Sequence, residues 1–310
     1  MADNFFRRKG YGYGIFFLFL MMLVSCANDV IAKFIGQRID PVEVIFFRFF
    51  FSLVTLLPFV WTRGLAAILK TSYPLGNILR GMLGAASFYL YTYALVKIQI
   101  VEVVSILWTI PLFVLVLSIF FLNERVDLHR WVATLIGFFG LSFITLYDSG
   151  VSFSLKMIYL IPVASAFLFA VQDIMIKKMV SNDDAVTMLL YFAFVSSVIT
   201  IFPALMVWKT PMLNELLLLF LYGLFANLMQ YLIFLAFEAT DLSALAPFRY
   251  VEFLLSAVTA FLFFGEIPGV NVLVGALILI PCTLYLTYGE NKRARKYSNK
   301  KNSTPKEQIT

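Results

Sequence analysis

Asp29 and Lys33 stand four residues apart inside an otherwise apolar stretch, and Asp173 with Lys177 repeats the spacing at an offset of 144. Residues four apart share one face of a helix. A charge at the centre of a bilayer costs about 2.5–3.5 kcal/mol on insertion scales, so these groups should face protein or water. As mirror-related contacts they could hold one mouth of a pathway shut while the other opens. A second set is richer in binding chemistry. Glu102, Ser105, Trp108 and Pro111 share one apolar block, and Pro247, Arg249, Tyr250 and Glu252 share another. Aromatic faces attract cations, carboxylates answer them directly, and a guanidinium grips a carboxylate through paired hydrogen bonds. Pro111 and Pro247 each free a backbone carbonyl from its helical partner, and broken segments in matching positions mark midplane binding sites in carriers.

Bond-making chemistry finds no support. His129 is the only histidine, so neither a His-rich zinc site nor a helical H-E-x-x-H can be built. No G-x-x-x-x-G-K-[ST] run is present to cradle ATP. The chain is read as a non-enzyme with no cofactor and no metal, moving a solute by exchange or by an ion or proton gradient. Asp29, Glu102, Asp173 and Glu252 are the carboxyls that could carry a coupled proton if desolvation raises their affinity for it.

Each of these residues also has a plainer reading. The lysines can snorkel to an interface while the aspartates cap or pack. Arg249 and Glu252, three apart, can neutralise each other, and Trp108 can be a packing aromatic. Tyr89, Tyr91, Tyr93 and Tyr231 could line a path, though at 17% aromatic content most such rings must pack or face lipid. Arg48 and Arg80 are expected to reach the headgroups, with Arg48 deep enough to serve as a second carboxylate clamp. Glu124 and Glu266 sit at helix ends and read as structural.

The elements that must position these groups follow from composition. Hydrophobic residues make up 61% of the 310, charged residues 14%, and the mean hydropathy is +0.90. A soluble globule must present polar residues to water, and this chain has too few. The apolar blocks fall at 14–35, 42–61, 74–95, 101–121, 129–147, 156–176, 185–207, 213–237, 243–264 and 270–289. Each has about 20 residues, enough to cross the hydrocarbon as a helix. The expected fold is an all-α polytopic membrane protein of ten transmembrane helices, its only required partner the lipid bilayer. The short connections leave no room for an extramembrane domain, which disfavours a scaffold or receptor and gives no sign of an obligatory protein partner.

Arg7, Arg8 and Lys9 precede the first block without a small-residue cleavage site after it, so that block reads as an anchor. With residues 1–13 and 290–310 as cytoplasmic tails, inner connections carry Arg63, Lys70, Arg125, Arg130, Lys177 and Lys178. Outer ones hold only Arg38, Lys97, Lys156 and Lys209. The net charge of +6 comes largely from the two ends and reports orientation, not nucleic-acid binding. Cys26 and Cys282 both fall inside spans, which argues against a stabilising disulfide.

The halves repeat. Ala27-Asn28-Asp29-Val30-Ile31-Ala32-Lys33 aligns with Val171-Gln172-Asp173-Ile174-Met175-Ile176-Lys177. At an offset of 142, Gly81 aligns with Gly223, Tyr89 with Tyr231, Trp108 with Tyr250, and Glu124 with Glu266. Five spans in each half (14–147 and 156–289) force the second to cross in the opposite sense, giving two inverted five-helix repeats.

Five plus five helices with a glutamate closing each fourth span, Leu122-Asn123-Glu124 and Phe264-Gly265-Glu266, resemble the EamA branch of the drug/metabolite transporter superfamily. Three stretches are similar, more narrowly, to the S-adenosylmethionine uptake transporters of intracellular bacteria. These are Ala27-Asn28-Asp29-Val30, the run Val44 to Ser52 with Leu56-Leu57-Pro58-Phe59-Val60, and Ala246-Pro247-Phe248-Arg249-Tyr250-Val251-Glu252. The resemblance implies a multi-pass carrier of the bacterial inner membrane that imports S-adenosylmethionine, with exchange for S-adenosylhomocysteine as one mode. For such a ligand the residues' own chemistry makes Trp108, Arg249, Tyr250, Glu252 and Glu102 the candidate binding set, with Asp29, Lys33, Asp173 and Lys177 as candidate gate or coupling residues. Export or import of amino acids or related metabolites by the same fold stays open, because these groups would suit those solutes as well.

Overall fold

The computed structural model describes residues 10–36, 38–97, 103, 106–149, 157–265, 277 and 281. Among these the chain is helical without strands, as lipid demands of a backbone that must satisfy its own hydrogen bonds. The longer helices are α1 (Tyr11–Ile35), α2 (Pro41–Arg63), α3 (Pro74–Lys97), α4 (Ile110–Leu122), α5 (Leu128–Ser149), α6 (Leu160–Met179), α7 (Ala185–Met206), α8 (Leu213–Ala239) and α9 (Val251–Phe264). Six helical stretches among the described residues are long and apolar enough to cross a membrane. The block expected at 270–289 lies, apart from the helical Leu277 and Pro281, outside the described residues.

Helix ends are set by capping chemistry that recurs along the chain. Asp40 accepts a hydrogen bond from the Val42 amide at 2.9 Å and starts α2, and Asp184 accepts from the Val186 amide at 3.1 Å and starts α7. Asn123 (φ 53°) and Gly265 (φ 67°) end α4 and α9 in the left-handed conformation, each just before a glutamate. Outside the spans, Arg38 clasps Glu215 through two nitrogens, and that hydrogen-bonded carboxylate pushes the guanidinium pKa up.

Residues that repeat in sequence also repeat their contacts. The Ser52 hydroxyl donates to the Gly223 carbonyl at 3.0 Å, and Ser196, 144 positions after Ser52, donates to the Gly81 carbonyl at 2.9 Å. These bonds join α2 to α8 and α7 to α3. The same logic pairs α1 with α8 and α6 with α3, while α2 and α7 pack on each other. Glycine at both crossings lets the backbones meet. A Cβ on Gly223 would come within 2.6 Å of the Ser52 amide nitrogen, and one on Gly81 within 2.7 Å of the Val195 Cβ. Gly223→Ala is therefore expected to destabilise by about 1–3 kcal/mol, and more than Gly81→Ala, since a backbone yields less than a side chain. Thermal unfolding in detergent checks the order; equal melting temperatures would contradict it.

The structure corrects the expectation that Arg48 and Arg80 reach the headgroups. Both lie inside the bundle, with Arg80 fully buried and Arg48 6% exposed. Arg80 donates to the Met188 carbonyl at 2.8 Å and lies 4.5 Å from the Phe192 ring centroid and 5.2 Å from that of Phe234. Carbonyl dipoles and ring faces replace part of the lost hydration, so a guanidinium can stay inside where a headgroup was expected.

Candidate functional site

Two interruptions build the site. After the turn Leu242–Leu245 the chain narrows into a 3₁₀ segment, Ala246–Tyr250, with Pro247 in its first turn, before α9 resumes. Earlier in the chain, Trp108 and Thr109 form a turn just ahead of α4, whose second residue is Pro111. Proline lacks the amide that would continue the helix, so each break sits at its proline. The two breaks touch. Tyr250 donates its hydroxyl to the Trp108 carbonyl at 3.2 Å, and its buried ring rests on Gly137 of α5, where a Cβ would come within 2.3 Å. Trp108 and Tyr250 thus meet at the junction of the two breaks.

Beside this junction lies a cavity of about 310 Å³, walled by Asp29, Tyr91, Trp108, Pro111, Arg249, Tyr250, Glu252, Phe253 and Ser256. The Trp108 indole stands edge-on to Phe253, with centroids 5.5 Å apart. Glu252 lies near Ser25, and Asp29 lies open to the cavity, within reach of the charges of Glu252 and Arg48. Two carboxylates beside an electron-rich ring suit a cation with an aromatic body.

The ion pair of Arg249 is with Asp173 and not with Glu252. Its Nη1 meets the Asp173 Oδ2 at 2.7 Å, joining the ninth span to α6, with side chains 18% and 9% exposed. The reading in which Arg249 and Glu252 form a pair of their own is corrected to that extent, although the Arg249 charge still acts on Glu252. The four residues of the repeated Asp–Lys spacing separate in space. Asp29 walls the cavity, and Asp173 holds Arg249. Lys33 lies 4.1 Å from the Phe264 ring centroid. Lys177 donates to the carbonyls of Phe237 and Thr240 (2.6 Å to the latter), closing the C-terminal end of α8 with a positive charge. Glu102 lies outside the described residues, as does Glu266. Glu124 accepts from the Leu242 and Ser243 amides, both at 2.9 Å, and so caps the start of the ninth span.

Ser25 and Ser256 went unmarked in the sequence, although a signal was present. Ser25 lies four residues before Asp29 and Ser256 four after Glu252, the spacing that puts each on the same helix face as its acid. A second cavity, about 460 Å³, lies among α2, α7 and α8. Its one lining acid, Asp184, is already paired with Arg63 at 3.1 Å, so it offers no free charge to a ligand.

Comparison with known proteins fits this geometry. The model of the EamA-like transporter family matches twice, over residues 12–146 and 156–288. A protein of Rickettsia bellii named S-adenosylmethionine uptake transporter is 43% identical over 288 residues, covering 93% of this chain and 98% of that one. A protein of Vibrio cholerae named riboflavin transporter is 31% identical, covering 80% of this chain and 83% of its own. A crystal structure 15% identical superposes with a TM-score of 0.78, covering 91% of this chain and 99% of that one, which bears on the fold alone. With both of its halves matched and its helices meeting around a polar cavity, this multi-pass membrane chain belongs to the EamA-like transporter family.

Proposed function

We propose that this carrier imports S-adenosylmethionine across the bacterial inner membrane by alternating access, in exchange for S-adenosylhomocysteine. The observation that carries this reading is the pair of carboxylates, Asp29 and Glu252, facing the cavity beside the Trp108 indole. S-adenosylmethionine brings a sulfonium cation, an ammonium group and a flat adenine. The indole attracts the sulfonium or stacks on the base, and the acids answer the positive groups. The similarity to the Rickettsia bellii protein supports the same solute.

The frame of the mechanism is ten helices in two inverted halves, 14–147 and 156–289, between cytoplasmic tails at 1–13 and 290–310. Its support is the mirrored serine–glycine bonds Ser52–Gly223 and Ser196–Gly81, together with the matched left-handed caps at Asn123 and Gly265. Two oppositely directed copies of one packing unit can exchange conformations, so one mouth closes as the other opens. Arg249 with Asp173, and Lys177 on the α8 carbonyls, tie α6 to the eighth and ninth spans and act as the gate contacts. Cysteine labels placed in the two tails are expected to react from the same side of the membrane. Labelling from opposite sides would require an odd number of spans and end the inverted-repeat account.

A second reading follows from the Vibrio cholerae relative: a flat, uncharged heterocycle such as riboflavin, or an amino acid, moving by the same fold. Thermal unfolding of the purified carrier across a metabolite panel separates the two. A ligand at 100 times its dissociation constant stabilises the folded state by about 2.7 kcal/mol. S-adenosylmethionine and S-adenosylhomocysteine are expected to raise the melting temperature, with methionine, adenosine and riboflavin inert. Stabilisation by riboflavin or methionine alone would overturn the substrate reading.

A further inference from the structure

The cavity offers two acids to the cationic groups of the substrate, and the base on its wall, Arg249, is already paired with Asp173 at 2.7 Å. Resting on the substrate reading above, we propose that Arg48 of α2 receives the α-carboxylate of the substrate's amino-acid end. Arg48 is 6% exposed, and no carboxylate among the described residues lies within ion-pair distance of it. Its Nε has no hydrogen-bond partner. Its guanidinium carbon lies 4.3 Å from the Phe88 ring centroid and 5.5 Å from that of Tyr222. Ring faces soften the loss of water around a cation but do not replace a counter-ion. A buried guanidinium with no carboxylate at ion-pair distance keeps its charge to offer to an anion.

Its place relative to the cavity fits that anion. Arg48 lies against Phe88, three residues before the wall residue Tyr91 on α3, and acts electrostatically on Asp29, another wall residue. Acids on the wall can answer the sulfonium and ammonium groups, and Arg48, beside that wall, the carboxylate. The charges also balance. Counting formal charges, Arg249 and Asp173 cancel, and Asp29, Glu252 and Arg48 leave one net negative charge for a substrate with one net positive charge. The demethylated product, lacking the sulfonium, leaves that negative charge unanswered and is expected to bind more weakly.

The test compares S-adenosylmethionine with its decarboxylated analogue, binding each to the purified full-length carrier before and after Arg48→Gln. Wild-type protein is expected to prefer S-adenosylmethionine by about tenfold or more, the range for a buried hydrogen bond between charged groups. Arg48→Gln should remove that preference, weakening S-adenosylmethionine by the same factor and the analogue by less than about threefold. Binding of the analogue shows that the variant is folded, and Arg48→Lys, which keeps charge without the fork, should restore part of the preference. Retained preference in Arg48→Gln, or equal loss of both ligands, would overturn the assignment while leaving the substrate reading intact. Wild-type carrier that binds neither ligand would overturn the substrate reading, and this assignment with it.

Discussion

Replacing Glu252 with glutamine is expected to weaken S-adenosylmethionine binding by about 10- to 100-fold, because it deletes a charge and keeps the shape. The carboxylate lies on the cavity wall beside Phe253, whose ring meets the Trp108 indole edge-on. Glu252 is only part-exposed, so the attraction between carboxylate and sulfonium is screened less than it would be on an open surface. Glutamine keeps the shape but cannot answer a cation. The same variant should lose less than about fivefold toward S-adenosylhomocysteine, which has no sulfonium. Equal losses for both ligands would assign Glu252 to the ammonium group, and wild-type affinity for both would remove it from the site.

The second large effect concerns the Arg249–Asp173 pair. Removing one partner of a buried ion pair strands the other, at a cost of about 3–5 kcal/mol, whereas replacing both with apolar groups of similar volume is close to neutral. Asp173→Asn and Arg249→Gln are each expected to lower the melting temperature of the detergent-solubilised carrier. The combined Asp173→Leu, Arg249→Met variant should recover most of that loss. It should nevertheless carry substrate at less than about a tenth of the wild-type rate, because a tie between α6 and the ninth span that must break and re-form has become a permanent apolar contact. Normal transport by the double variant would make the pair a structural joint only. A double variant as unstable as either single one would mean that the pair's loss is not what destabilises them.

The sequence carried some of this plainly and hid the rest for physical reasons. Hydropathy announced the helices, since lipid admits few other backbones. The breaks were legible at Pro111 and Pro247, because a missing amide acts locally whatever surrounds it. Trp108, Tyr250, Glu252 and Asp29 were marked as chemistry-bearing, and the fold brings all four to one cavity. The partner of Arg249 was not legible. Glu252 stood three residues away in the chain and Asp173 seventy-six, and only the packing of α6 against the ninth span decides between them. Arg48 and Arg80 misled because a long cationic side chain in an apolar block usually snorkels. Here Phe88, Tyr222, Phe192 and Phe234 hold them inside, and with 34 phenylalanines in the chain such ring partners leave no distinctive pattern. Gly137, beneath the Tyr250 ring, was equally silent, since close approach is a property of two helices and never of one.

The proposed function places recognition at the cavity and motion in the ties around it. On that proposal Asp29, Glu252 and Trp108 meet the ligand, Arg48 completes it, and the contacts from Asp173 and Lys177 respond to which mouth is open. Uptake of labelled S-adenosylmethionine into proteoliposomes of the purified carrier tests this most directly. The account predicts saturable uptake, suppressed by S-adenosylhomocysteine, untouched by methionine or riboflavin, and reduced at least about tenfold by Glu252→Gln at sub-saturating substrate. Uptake that never saturates, or that only methionine or riboflavin suppresses, would contradict it.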